Sequence, residues 1–235
     1  GLVRYELDGN VALITMDDGK VNVLGPPMFA ALNEAVDQAE AASAAIVLAG
    51  RSARFCAGFD IKVLGSFGPE APVLLRTGFE FAHRLLSYPR PVVIACSGHA
   101  FAMGVFLLLT ADYRVGPNAD VKITANEVAI GLTMPRAAIE LCRSRLTRAH
   151  FERAVNQAEM FDAEGAVAAG FLDELVAPDA VVPRAVEKAS GLMALNLGAF
   201  AGTKARTRQA TLAALAEAIE VDDKEFRATI GAPTT

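Results

Sequence analysis

Apolar and polar residues alternate through the opening stretch of the chain. Val3, Tyr5 and Leu7 precede Asp8-Gly9-Asn10, and Val11, Leu13, Ile14 and Met16 follow it. A two-residue period broken by turn-forming residues predicts a β-hairpin. Behind Pro26-Pro27 the period lengthens. Met28, Leu32, Ala35, Val36 and Ala39 keep a 3.6-residue spacing, which predicts a helix with proline in its first turn. Two uninterrupted apolar runs, 45–50 and 91–96, read as buried strands, and each passes through a turn of small residues into a helix-like segment. Between them lie a loop expected over 65–72 and a helix from Val73 to about Ser87, stopped by Pro89 and Pro91.

The second half continues the pattern. Met103 to Thr110 is a strongly apolar helix, and Tyr113-Arg114-Val115-Gly116 a short strand. From Val121 to Leu132 the chain is expected to be extended and apolar around Asn126-Glu127. Helices are expected over 135–146, 148–156, 163–169, 183–196 and the alanine-rich 200–226. Strand, turn, helix and strand recur at roughly 45-residue intervals, which favours a spiral of stacked ββα turns over one doubly wound sheet. The expected architecture is therefore α/β. Its spiral core covers residues 1–182, and a C-terminal helical region, 183–235, serves for oligomerisation, as a lid, or simply as a packed surface helix.

Composition narrows the partners. With 235 residues, 53% of them hydrophobic, the chain can bury a large core. Its net charge of −5 argues against general nucleic-acid binding, so an anionic ligand needs a local basic cluster. Cys56, Cys96 and Cys142 lack metal-ligand spacing and a CxxC pair, which points to buried, reduced thiols in a cytoplasmic protein without a metal site. No apolar run reaches the ~18 residues of a membrane span.

The two small-residue turns carry the chemistry. The first is Ala53-Arg54-Phe55-Cys56-Ala57-Gly58-Phe59-Asp60-Ile61; the second runs from Ser97-Gly98-His99-Ala100 through Phe101-Ala102-Met103-Gly104. A strand entering a helix through such a turn leaves backbone N–H groups unpaired. Gly58 permits a sharp bend that aims the Phe59 N–H outward, and Met103 opens a helix where its N–H has no partner. Two such donors converging on one point form an oxyanion hole. His83, His99 and His150 are scattered, with no metal partner one helical turn away. Cys56 has no neighbouring base, so a nucleophilic role is disfavoured.

These turns, together with Ala111-Asp112-Tyr113-Arg114-Val115, Asn126-Glu127-Val128-Ala129-Ile130-Gly131-Leu132 and Pro135, resemble the crotonase superfamily, which includes the enoyl-CoA hydratases and isomerases. Lys20-Val21-Asn22-Val23-Leu24 resembles that family's first CoA-contacting segment. The matches keep the family's order over about residues 3–175. The resemblance implies an acyl-CoA thioester as substrate, with coenzyme A a part of it and no separate cofactor. It also implies a homotrimer or hexamer. Phe59 and Met103 align with the residues whose N–H groups hold the thioester oxygen. Ala57 and the segment Phe59-Asp60-Ile61-Lys62 would line the path of adenine and pantetheine beside Val21, with Lys20 and Lys62 near the CoA phosphates.

A family hydratase uses two carboxylates. Glu127 matches one of them, and the apolar run after it is expected to surround it and raise its pKa. The other position holds Phe106, one helical turn beyond Met103. The turn is altered too, with Ala102 and Met103 where glycine is common. One carboxylate suffices to move a double bond, whereas hydration must also hold a water, which a phenyl ring excludes. The expected activity is therefore Δ3–Δ2 enoyl-CoA isomerisation. Hydration with a second acid such as Glu70 or Glu80, and acyl-CoA binding without turnover, are the alternatives.

Overall fold

The computed structural model describes residues 1–66 and 68–230. The hairpin forms as expected, β1 (Val3–Asp8) running antiparallel to β2 (Val11–Met16). β3 (Val23–Leu24) and α1 (Pro26–Ala41) lead to β4 (Ala45–Ala49), β5 (Ala53–Cys56) and β6 (Gly58–Phe59). α2 (Ile61–Leu64) and α3 (Glu70–Ser87) lead to β7 (Val92–Ala95), β8 (Gly98–Phe101) and α4 (Met103–Leu108). After β9 (Tyr113–Pro117) and β10 (Ile123–Thr124) come α5 (Arg136–Arg145), α6 (Arg148–Val155) and α7 (Ala163–Ala169). β11 (Glu174–Val176), α8 (Val181–Met193) and α9 (Leu197–Ile230) complete the described chain.

Each turn of the chain adds one strand to a large sheet and the next strand to a small one. The large sheet has the order β1-β2-β4-β7-β9-β11, parallel from β2 onward, and the small sheet the order β10-β8-β5. That is the ββα spiral expected from the recurrence. The uninterrupted apolar runs follow from burial on both faces. Side chains alternate across a strand, so Ile46, Leu48, Val92 and Ile94 enter the main core. Ala45, Val47, Ala49, Val93 and Ala95 face a second core closed by Val181, Ala185 and Ala189 of α8. These three lie four residues apart, on one face of the helix. The division expected at residue 182 falls in the first turn of this helix.

Two local expectations need correction. α3 begins at Glu70 rather than Val73, with Ala71 and Pro72 buried in its first turn. Proline is tolerated there because a first-turn N–H has no intrahelical acceptor to lose. The loop expected over 65–72 shortens accordingly, and its Phe67 lies outside the described residues. The extended segment expected over 121–132 exists only as Ile123–Thr124. Beyond it the backbone bonds locally: Ile130 N–H donates to the carbonyls of Asn126 and Glu127, and Leu132 N–H to Glu127 at 2.9 Å. One 3-10 turn, Val128–Ile130, results.

α9 is a single helix that packs on α3 and α5. Leu215, Ala218 and Ile219 supply its buried stripe. The Asp222 carboxylate accepts from the N–H groups of Arg136 (3.1 Å) and Ala137 (2.9 Å), capping α5 from another element. Arg76 of α3 pairs with Glu220 and Asp223. Among the described residues no helix is long and apolar enough to cross a membrane.

Candidate active site

The first turn is shaped by β6, which pairs in parallel with β3, Leu24 opposite Phe59. The Leu24 carbonyl accepts from Asp60 N at 3.0 Å, so the N–H of Phe59 lies on the opposite edge of its strand. Gly58 has φ +90°, and a Cβ there would stand 2.9 Å from Ala102 Cβ and 3.3 Å from Met103 N. The two turns therefore touch. Only glycine combines that backbone angle with that approach.

Met103 is the first residue of α4, preceded by Ala102 at φ +49°, ψ −124°. That conformation costs a non-glycine residue roughly 1–3 kcal/mol. It is held because Ala102 N–H donates to Thr124 (3.1 Å) and its carbonyl accepts from Val105 (2.9 Å). The Met103 N–H remains without an intrahelical acceptor. The turns that carry the two expected donors are thus brought together, with Met103 fully buried.

Glu127 follows β10, the strand that pairs with β8 at the second turn. Thr124 pairs with Phe101, two residues before Met103, and Glu127 follows three residues after Thr124. Its side chain is 7% exposed, and Oε2 has no hydrogen-bond partner. Burial pushes its pKa from 4.5 up to about 7. The source of that burial differs from the sequence expectation. Val128, Ile130 and Leu132 are 44%, 55% and 50% exposed, because the 3-10 turn throws them outward while Glu127 turns in. The apolar surroundings come from across the fold, with Cys142 of α5 close enough to feel the Glu127 charge.

The neighbouring position contains no second acid. Phe106 is buried, and its ring lies 6.2 Å from that of Phe79, which in turn lies 6.0 Å from Phe59. Phe29 extends the cluster from Phe59. The ring of Phe101 sits beside that of His99, 6.3 Å between centroids. Glu80 is exposed and held by Arg76 at 2.7 Å, and Glu70 is exposed at the start of α3. His99 accepts from Lys122 N at 2.9 Å, a structural contact. Cys56 accepts from Gly58 N at 3.3 Å, and burial pushes its thiol up to about 12, which leaves it unreactive.

The residues expected along the CoA path form a rim beside the first turn. Ala57 N–H donates to the Val21 carbonyl at 3.0 Å, which joins the two segments. Lys20, Val21, Ile61 and Lys62 are exposed. Asp60 is turned to other work: its carboxylate accepts from Lys62 N at 2.9 Å and caps α2. Arg51 donates to the Lys20 carbonyl at 3.1 Å and adds a cation to this rim. Sequence reasoning passed over Arg51 because it lies more than thirty residues from Lys20. It also passed over Asn22, whose buried amide donates to Met16 and Phe55, both at 3.0 Å, tying β2, this loop and β5 together.

Comparison with known proteins agrees with this fold. A model of the enoyl-CoA hydratase/isomerase family matches residues 6–233. A probable enoyl-CoA hydratase of Mycobacterium avium is 31% identical over 205 residues, covering 84% of this chain and 78% of that protein. Among solved structures, a Mycobacterium tuberculosis protein described in its apo form as an enoyl-CoA isomerase, and elsewhere as a probable enoyl-CoA hydratase, is 48% identical, with a TM-score of 0.92 over 95% of this chain and 98% of that one. The human mitochondrial Δ3-Δ2-enoyl-CoA isomerase is 25% identical, with a TM-score of 0.91 over 98% and 92% of the two chains. The fold is that of the crotonase superfamily. Within it, this chain belongs to the enoyl-CoA hydratase/isomerase family of enzymes.

Proposed function

We propose that this enzyme moves the double bond of a 3-enoyl-CoA to the 2-position, with Glu127 as its single acid–base group. The carrying observation is twofold: Glu127 is buried with its Oε2 unpartnered, and position 106 holds a buried phenyl ring of an aromatic cluster instead of a second acid. A carboxyl group whose pKa is about 7 can both take and return a proton near neutral pH.

Ionised Glu127 removes a proton from C2, and the electrons of that C–H bond pass through the thioester carbonyl to its oxygen. The N–H groups of Phe59 and Met103 stabilise the resulting dienolate, each donor being worth roughly 3 kcal/mol in the transition state. Protonated Glu127 then delivers its proton to C4, and the double bond comes to rest between C2 and C3. The phenyl ring of Phe106 keeps out the water that hydration would require. The CoA portion lies along the rim, its phosphates met by Lys20 and Lys62, with Arg51 beside them. The isomerase name of the human relative supports this reading, as does one of the two names, isomerase and probable hydratase, that the M. tuberculosis relative carries.

The test supplies purified enzyme with 3-enoyl-CoA and 2-enoyl-CoA in parallel. Isomerisation of the first without hydration of the second is expected. Efficient formation of 3-hydroxyacyl-CoA would overturn the reading.

A further inference from the structure

The C-terminal helices border a cleft of about 710 Å³ that neither Glu127 nor the oxyanion turns line. Asp112 and Tyr113 contribute from the start of β9, Arg145 from the end of α5, and the remaining walls are α8, α9 and their connection. Four cations line it, Arg145, Lys188, Lys204 and Arg208, against a single carboxylate, Asp112. This surplus runs opposite to the chain's net charge of −5.

Asp112 is already fully engaged. Its Oδ2 accepts from Lys204 at 2.6 Å and from Val92 N at 2.8 Å, and its Oδ1 accepts from Arg208 at 2.7 Å. Arg145 and Lys188 pair with no carboxylate among the described residues. Arg145 spends Nε and Nη2 on the carbonyls of Leu109 and Ala111, leaving Nη1 free. Lys188 stands over the Tyr113 ring, 4.2 Å from its centroid.

The surplus is felt inside the protein. Lys204 is 7% exposed. Burial, reinforced by the charges of Arg208 and Arg145, lowers its pKa to about 8 in spite of Asp112. Four cations lining a cleft with one carboxylate leave positive charge over, which is unfavourable next to the buried Lys204, and an entering anion relieves it. Leu192, Leu195 and Phe200 also line the space, so it suits an anionic head with an apolar body.

We propose that this cleft binds a small organic anion, its phosphate or carboxylate head held by Arg145, Lys188 and Lys204 and its apolar body against Phe200 and Leu192. The proposal is independent of the reaction assigned to Glu127.

Titration calorimetry on the full chain tests it with three probes: phenyl phosphate, inorganic phosphate and phenol. One saturable site per chain is expected for phenyl phosphate, weaker binding for inorganic phosphate, and none for phenol. Lys188→Met removes a cation that caps no backbone, and should weaken phenyl phosphate at least about tenfold, the effect of losing one charge-assisted contact. Thr203→Glu places a carboxylate in the cleft and should abolish binding while raising the melting temperature. Both variants should isomerise 3-enoyl-CoA like the parent.

Three outcomes overturn the proposal. One is the absence of saturable phosphate or phenyl phosphate binding to the parent at millimolar concentration. Another is binding that resists both variants and falls instead in Lys62→Met, which moves the site to the CoA rim. The third is a change of oligomeric state in Lys188→Met without any anion binding, which assigns the cations to a second copy's carboxylates.

Discussion

The ring of Phe59 rests on Gly78: a Cβ on that glycine would stand 2.4 Å from Phe59 Cε1 and 2.5 Å from Cζ. The residue proposed to present an oxyanion N–H is thereby anchored through its side chain to the middle of α3. Gly-to-Ala in a helix interior ordinarily stabilises by roughly 1 kcal/mol. Gly78→Ala should do the reverse, losing roughly 1–3 kcal/mol through overpacking. It should also lower kcat about tenfold or more by displacing the Phe59 donor. Chemical denaturation and steady-state kinetics on 3-enoyl-CoA measure both effects, and a more stable, fully active variant would contradict the anchoring role.

Glu127→Gln keeps shape and burial but removes the proton carrier. Isomerase turnover should fall by roughly 10²–10⁴-fold, with acyl-CoA affinity retained in calorimetry. Residual activity close to the parent's would place the acid–base work elsewhere. Loss of binding together with loss of turnover would point to a collapsed pocket.

The same carboxyl group makes activity and stability move in opposite directions with pH. Its pKa is about 7 in the folded protein against 4.5 in the reference state, so the folded protein holds this proton where the unfolded chain has released it. Stability should therefore decline as pH rises from about 4.5 to about 7, by on the order of 3 kcal/mol for this group. The rate constant kcat/KM should rise through the same upper limit as the base form appears. Glu127→Gln should flatten this part of the stability profile, which pH-dependent urea denaturation measures directly.

Asp222 caps a helix to which it does not belong. Asp222→Ala leaves the N–H groups of Arg136 and Ala137 without their acceptor, a loss of roughly 0.5–2 kcal/mol. Because α9 is fastened at the same point, amide exchange should accelerate in α9 as well as in α5. Acceleration confined to α5 would show that α9 is held by its apolar stripe alone.

Phe106→Glu places a carboxylate one turn beyond Met103. Losing the buried ring should cost roughly 3–5 kcal/mol, and the folded fraction should acquire measurable hydration of 2-enoyl-CoA. A folded variant with no hydration would mean that position 106 does not face the β carbon.

Much of this molecule is written locally in its chain. The hairpin, the doubly buried strands, α1 and the two glycine-bearing turns follow from residue period and turn chemistry, which act over a few neighbours. The proposed oxyanion donors are legible for the same reason, since a strand entering a helix must leave N–H groups free wherever it occurs. Glu127 was legible as a candidate, but its environment was misread. The apolar run beside it turns outward because β10 ends at Thr124, and a strand without a ladder bonds to itself. Whether Glu127 is buried, whether Gly58 meets Met103, and whether Phe59 leans on Gly78 depend on segments about fifteen to forty-five residues apart. The cation cleft likewise gathers Asp112, Arg145, Lys188 and Lys204 from four separate elements. Such contacts arise only when the spiral closes, because burial, and with it the pKa of a carboxyl group or an ammonium, is set by whatever lies across the fold.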